Sequence, residues 1–414
     1  MINYIAIVIL ILTIYLVNKN FELKNILNPY VFFFLFHIFF LYISIFYASN
    51  YEHANIYISN NTKVYIIYSL IASFLGAYLA KFFWLSQGST YKKILHLKIV
   101  DNSKKQHALY YSTLLIFVLG VLMSLYYTYK IGGFIWFQGN FEDIRINSRK
   151  GSGFITILSI VFVTYSTLLL LLMKRNKLLF KIFIFFIAAI ALLSFGNRAP
   201  FLKLLLLWLI LSLIIKNPNF KLSSFLFYGF FSFMVMVLLG TIRKGVDEIL
   251  EVFLVRIPWR PFVNTYTFEL VQNNFPEKVN FLYGYGYIID ILTILPGYQP
   301  NLGTWVKEQL NMSFEGGSVT FSYLGDAYIN FGYIGVLFIP IIFGFFLNSI
   351  YLVLLKRRTV TLQRLIYISL ISMGFAGSVN VGFMGPFIYN IIPIVLIVFM
   401  HKVFISIIKI KKKG

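Results

Sequence analysis

The chain has 414 residues, of which 59% are hydrophobic and only 12% charged, and its formal net charge is +22. Soluble globular domains carry roughly 25% charged residues, so this composition excludes a soluble protein and indicates a multi-pass membrane protein. The sequence contains no cysteine, which excludes disulfide bonds and thiolate chemistry.

Eleven apolar stretches are long enough, or nearly so, to cross ~30 Å of hydrocarbon at ~1.5 Å of helix rise per residue. They are residues 2–18, 26–48, 64–84, 108–129, 154–173, 179–195, 200–215, 222–241, 331–355, 365–383 and 387–405. The sequence therefore predicts an all-α polytopic membrane protein with about eleven transmembrane helices, or twelve if a short or re-entrant segment escapes this count.

The distribution of lysine and arginine predicts the orientation of these helices. With the N-terminus outside, the inner segments carry 22 of the 36 cations and two acids, whereas the outer segments carry twelve of each. Most of the positive charge is thus a topology signal and a contact with anionic membrane lipids, and we expect no nucleic-acid partner.

The chain divides into eight helices with short loops, a long outer loop, and three helices with a basic inner tail (1–241, 242–330 and 331–414).

The long outer loop is poor in lysine but holds Arg243, Arg256 and Arg260, against the positive-inside trend. A guanidinium presents a planar fork of donors that matches phosphate geometry. These arginines therefore indicate a phosphate-binding site. The alternative is that they pair on a wet surface with nearby loop carboxylates (Asp247, Glu248 and Glu251).

Two other outer segments add arginines. The stretch "FEDIRINSRKGSG" contains Arg145 and Arg149, and "SFGNRAP" contains Arg198. Pro200 suits the first turn of a helix, so Arg198 is expected at a helix N-terminus, where anions bind. Together the arginines would bind a phosphate or pyrophosphate of a lipid carrier.

Two carboxylates of the long loop approach the ninth predicted helix, Glu315 in "SFEGGSV" and Asp326 in "YLGDAYINFG". Desolvation near the membrane boundary would suit Asp326 as a general base. The alternative is a helix-start charge that complements the helix dipole.

The five histidines show no metal-ligand spacing, so neither a metal site nor a cofactor is expected.

Two stretches carry a family resemblance, "FLYGYGYIIDILTILPGYQPN" and "EGGSVTFSYLGDAYINFGYIGVLFIPIIFGFF". Together with the "SFGNRAP" turn and the single long outer loop, they resemble the O-antigen and capsule repeat-unit polymerases of the Wzy type. The chain departs from that family's pattern at two positions. Asn197 stands where the family's turn has serine, and Asp326 stands where its late motif has glutamate.

The resemblance implies a GT-C-like, inverting, metal-independent glycosyltransferase with its active site on the periplasmic face of the bacterial inner membrane. Such an enzyme transfers a growing glycan from undecaprenyl pyrophosphate onto a lipid-linked repeat unit, usually together with a chain-length regulator protein. The expected catalytic residues are Arg198, Arg243, Arg256, Arg260 and Asp326. The expected substrate-binding residues are Arg145, Arg149, Glu315, Tyr285 and Tyr298, of which the aromatic ones would stack on sugar rings.

Two other functions remain open at this point. A lipid-linked oligosaccharide flippase would show a two-halved repeat and charged residues inside its spans, and neither is evident. An O-antigen ligase would use the same arginine chemistry but usually relies on a histidine in its long outer loop, and residues 242–330 contain none.

The arginine hypothesis predicts that replacing Arg243, Arg256 and Arg260 together by alanine shortens the glycan chains made by cells that depend on this protein. The physical reason is the loss of the groups that stabilise the leaving phosphate, where a single such donor is worth roughly 10²–10³ in rate. Chain length is read from the ladder of extracted polysaccharide on a gel. An unchanged ladder would refute the hypothesis.

Overall fold

The structure is a computed structural model of the chain. It describes residues 2–23, 28–47, 58–85, 98–99, 106–138, 144, 152–216, 227, 257–295, 299–312, 318–355 and 359–410. In this part of the chain helices dominate, as the apolar sequence predicts. The helices are α1 Ile2–Phe21, α2 Pro29–His37, α3 Ser44–Tyr47, α4 Asn60–Leu85, α5 Gln106–Lys130, α6 Gly153–Leu172, α7 Leu178–Leu193, α8 Ala199–Lys216, α9 Ile257–Asn274, α10 Tyr285–Leu292, α11 Leu302–Gln309, α12 Tyr323–Leu355, α13 Leu362–Val381 and α14 Ile392–Ile410.

Short irregular elements complete the fold. A π-helical turn at Ile38–Tyr42 follows α2, a second one at Phe387–Ile391 precedes α14, and a 3-10 turn lies at Ile135–Phe137. Two-residue strands, β1 Lys98–Ile99 and β2 Thr359–Val360, pair in parallel. This pair joins two segments that the charge bias assigns to the inner side, so these basic segments meet at one end of the molecule, as their assignment requires.

The polytopic all-α fold is confirmed. Among the described residues, nine helical stretches are long and apolar enough to cross a membrane, and α7 is a shorter apolar helix. Ten of the eleven predicted spans coincide with these helices. Of the remaining predicted span, 222–241, the structure describes residue 227 alone.

The ninth predicted span begins earlier than expected. Its helix, α12, begins at Tyr323 rather than at residue 331 and contains a bend at Gly332, where φ is 58° and ψ is −140°. The bend falls where the sequence predicted the helix to start. The sequence pattern predicts loop before the bend, but this part is helical and carries Asp326 in its first turn.

Helices α4 and α12 pack with their backbones in close approach. A Cβ atom added at Gly76 would overlap the carbonyl oxygen of Ile341, and one added at Gly344 would overlap that of Ser73. Small residues allow such approach between membrane helices, where van der Waals packing takes the place of hydrophobic burial. The two glycines therefore fix the distance between α4 and α12.

Buried polar side chains link the same helices. His37 is fully buried, and its two ring nitrogens lie 3.3 Å from Ser69 Oγ and 3.1 Å from Tyr323 OH. Asn348 on α12 donates to the carbonyl oxygen of Ala77 on α4 at 2.8 Å. Because polar groups in an apolar interior require partners, these bonds fix the register of α2, α4 and α12.

The close approach predicts that Gly344→Ala lowers the thermal unfolding temperature of the detergent-purified protein, since overpacking costs about 1–3 kcal/mol. The matched control is Gly377→Ala on α13, because a Cβ atom there meets nothing within 4 Å. The control should leave the unfolding temperature unchanged or raise it. Equal effects of the two substitutions would contradict the packing account.

Candidate functional site

A cavity of about 160 Å³ lies where α10, α11, the start of α12 and the α13–α14 connection meet. Its walls come from Asp290 and Thr293, from residues 301–303 and 318–321, from Asp326, and from Asn380 with the turn that follows it. Hydroxyl, amide and carboxylate groups alternate with Leu302, Val319, Phe321 and other apolar side chains. The cavity has room for one sugar ring and offers the polar groups that bind sugar hydroxyls.

Asp326 is almost completely buried, with 1% of its surface exposed. Its Oδ2 atom accepts a hydrogen bond from the backbone N–H of Phe383 at 2.7 Å, and its Oδ1 atom accepts one from Asn330 Nδ2 at 3.1 Å. Gly382, at φ 76°, brings this backbone close, and a Cβ atom there would lie 2.9 Å from Asp326 Oδ2. The carboxylate therefore ties α12 to the turn after α13.

Asn330 holds α10 against α12. Its Oδ1 atom accepts a hydrogen bond from the backbone N–H of Gly286 at 3.0 Å, and its carbonyl oxygen accepts one from Tyr283 N at 2.8 Å. A side chain at Gly286 would press against the Asn330 amide. The glycines of "YGYG" thus allow α10 to dock, and this docking brings Asp290 to the cavity.

Asp290 is the second carboxylate of the cavity. Its Oδ1 atom accepts a hydrogen bond from Leu302 N at 2.9 Å, which joins α10 to the start of α11. Burial raises the pKa of Asp290 to about 6, although the bond from Leu302 opposes this shift. Burial and the nearby Asp326 carboxylate likewise raise the pKa of Tyr287. Asp290 therefore changes charge near neutral pH.

Polar contacts behind the walls hold them in place. Asn380, which lines the cavity, accepts a hydrogen bond from the buried Asn264 on α9. Thr267 on the same helix donates to the carbonyl oxygen of Thr320 at 2.8 Å. Within the described ranges, no group of three or more His, Asp or Glu side chains could hold a metal ion.

The predicted site residues have different outcomes. Asp326 lines the cavity, and Arg198 directly precedes α8, as Pro200 led us to expect. Tyr285 begins α10 with 54% of its surface exposed and is not among the cavity-lining residues. The backbone of Arg260 lies in α9, but its side chain is not described. The other predicted site residues fall outside the described part of the chain (Arg145, Arg149, Arg243, Arg256, Tyr298 and Glu315).

Sequence reasoning missed Asp290, Asn380 and Tyr389. Asp290 lies in "YIIDILTIL", a stretch that the sequence analysis uses only for its family resemblance. The one available signal was its charge, because a carboxylate on a short apolar helix requires a buried polar partner or a site.

A comparison with protein families identifies the chain. The sequence model of the family described as O-antigen polysaccharide polymerase Wzy matches residues 1–407. The chain belongs to this family. It is therefore a multi-pass membrane protein of the glycosyltransferase-type polymerases, with a role in O-antigen polymerisation on lipid-linked repeat units. Neither a curated protein nor a solved structure matches it. The family match favours the polymerase over the flippase and the ligase.

The buried Asp290 predicts a pH-dependent loss of stability. Its folded-state pKa of about 6 lies above the unfolded value of 3.8, so the folded state binds the extra proton between these values. The resulting stabilisation, about 3 kcal/mol, is complete below pH 3.8 and is lost as pH rises through about 6.

Thermal unfolding of the wild-type protein and Asp290→Asn between about pH 4.5 and 7.5 tests this prediction, since asparagine can still accept the bond from Leu302. The stability of the variant relative to wild type should rise with pH. Glu308→Gln, which alters an exposed carboxylate on α11, should follow the wild type. A pH-independent difference between Asp290→Asn and wild type would contradict the assignment.

Proposed function

We propose that this polymerase acts at the periplasmic face of the bacterial inner membrane and transfers a growing glycan from undecaprenyl pyrophosphate onto a lipid-linked repeat unit. The observation that carries the proposal is the cavity in which the two carboxylates, Asp290 and Asp326, lie beside hydroxyl and amide groups. Such groups bind sugar hydroxyls and accept a proton from one of them.

The charge bias supports the outward orientation of the cavity. Most of its walls come from the outer loop 242–330, and the rest from the ends of the last two predicted spans and the connection between them, whereas the β1–β2 pair joins two basic segments assigned to the inner side. A glycan carried on the outer leaflet would then meet the cavity without crossing the membrane.

The proposed reaction is a single displacement without a metal. A hydroxyl oxygen of the acceptor sugar attacks the anomeric carbon of the donor glycan on the face opposite the pyrophosphate. The bond between this carbon and the phosphate oxygen breaks, and the configuration at the carbon inverts. The hydroxyl proton passes to a carboxylate, and undecaprenyl pyrophosphate leaves with the bonding electron pair.

Asp290 is the better placed proton acceptor. Both oxygens of Asp326 accept hydrogen bonds, whereas Leu302 occupies only Oδ1 of Asp290 among the described residues. The general-base role expected for Asp326 therefore passes to Asp290. Asp326 binds a sugar hydroxyl through its remaining lone pairs and fixes the cavity wall.

The arginines complete the proposed site. Arg198 and the loop arginines stabilise the negative charge on the departing pyrophosphate (Arg243, Arg256 and Arg260). The substrate contacts expected from sequence remain part of the proposal (Arg145, Arg149, Glu315, Tyr285 and Tyr298), as does a chain-length regulator partner.

Purified protein incubated with a lipid-pyrophosphate-linked repeat unit in the presence of EDTA should produce a ladder of lengthening glycans on a gel. A flippase would instead leave the substrate monomeric while moving it across a liposome bilayer. An unextended substrate in this assay would refute the polymerase reaction proposed here.

Asp290→Asn should lower kcat by roughly 10²–10⁴-fold, the usual contribution of a general base. Wild-type activity should rise with pH through about 6 as Asp290 loses its proton, and the variant should lack this rise. Asp326→Asn should also lose activity, whereas the exposed Glu308→Gln should retain it. Wild-type activity in Asp290→Asn would exclude Asp290 as the base.

A further inference from the structure

Lys203 is a cation inside a predicted membrane span. It lies on α8, five positions after Arg198, and α8 is one of the stretches long and apolar enough to cross a membrane. Its ammonium group donates to Asn390 Oδ1 at 2.6 Å. Charged side chains within spans are costly and generally serve a function, so Lys203 needs a physical explanation.

An ordinary ion pair does not supply this explanation. Asn390 is a neutral amide, and it is the hydrogen-bond partner that the described residues give to the Lys203 ammonium. An ammonium group has three donors, so the bond to Asn390 leaves donors and a full positive charge unbalanced by that partner. The Lys203 side chain is partly buried, and its ammonium is bound to Asn390, a residue with only 4% of its surface exposed, whereas lysines near helix ends usually extend their ammonium group into water.

Asn390 links Lys203 to the cavity. It lies in the π-helical turn before α14, and the two residues preceding it, Ile388 and Tyr389, both line the cavity. The amide of Asn390 is held against Gly374, where a Cβ atom would overlap it. Neither Asn390 nor Lys203 itself lines the cavity, so the lysine charge is held behind this wall, bonded to the residue that follows Tyr389.

We propose that Lys203 binds a phosphate of the lipid-linked donor next to the cavity. This inference rests on the proposed function and deepens it, because it adds to the site a residue that the sequence analysis does not name. The ammonium group is a point-charge binder of phosphate, and a phosphate would supply the negative charge that Asn390 lacks. Arg198 directly precedes α8, at the same end of the helix as Lys203, and would hold the adjoining phosphate.

The test measures the binding of undecaprenyl pyrophosphate, which carries no sugar, to the purified full-length protein in detergent micelles. Lys203→Met should raise the Kd roughly tenfold or more, as expected for the loss of a charged hydrogen bond. Lys203→Gln can still donate to Asn390, so it removes the charge without removing the structural bond, and it should weaken binding to a similar extent.

Lys81→Met is the matched control. Lys81 also lies in a predicted span and also bonds to an asparagine, with Asn20 O and Oδ1 both 3.2 Å from its ammonium nitrogen. It lies near the end of α4 that the charge bias assigns to the inner side, away from the cavity. Its replacement should leave the Kd at the wild-type value.

The possible outcomes separate the two proposals. Two results with the variants would overturn the role of Lys203: an unchanged Kd in Lys203→Gln, or a loss of affinity in Lys81→Met equal to that in the Lys203 variants. Displacement of the probe by excess phosphatidylglycerol would also overturn it, because it would reveal a general lipid-headgroup site. Selective weakening in the Lys203 variants supports it. If wild type binds the probe in this Lys203-dependent way but forms no glycan ladder, the phosphate site stands and the polymerase reaction falls.

Discussion

The buried carboxylate of Asp326 is the constraint on which the candidate site depends. A carboxylate taken out of water requires hydrogen-bond donors, and α12 alone does not supply enough of them. Asn330, on α12 itself, supplies one donor, and the backbone N–H of Phe383 supplies a second from the α13–α14 connection. The second bond brings this connection against the start of α12, and the Asn330 amide in turn accepts a hydrogen bond from Gly286 N on α10. The need to satisfy one buried carboxyl group and its neighbouring amide thus assembles three elements around a cavity.

The helices behind the site supply its rigidity. Gly76 and Gly344 bring the backbones of α4 and α12 together, and a hydrogen bond between Tyr323 and His37 connects the start of α12 to α2. At Gly332 the helix bends, because only glycine readily adopts its positive φ, and a side chain there would also meet the ring of Phe281. A rigid bundle therefore carries a short helical segment whose direction differs from that of its own span. This segment presents Asp326.

The sequence predicted most of the scaffold and only part of the site. Length and apolar character identify membrane helices directly, because each span must satisfy its own backbone in hydrocarbon. The motif containing Asp326 identified one carboxylate, and the predicted start of the ninth span fell on the bend at Gly332. Asp290 and Lys203 could not be assigned because their roles depend on partners distant in sequence. Leu302 N contacts the first and Asn390 the second, and only tertiary packing brings these pairs together.

The proposed reaction requires that the cavity between Asp290 and Asp326 receive the acceptor sugar. A cryo-EM structure of the protein with a bound lipid-linked repeat unit would show where this sugar binds. We expect density for a sugar ring in the cavity, with a hydroxyl oxygen within hydrogen-bond distance of Asp290 and the pyrophosphate on the side of Arg198 and Lys203. A repeat unit bound elsewhere on the bundle, with the cavity holding only water, would refute this placement.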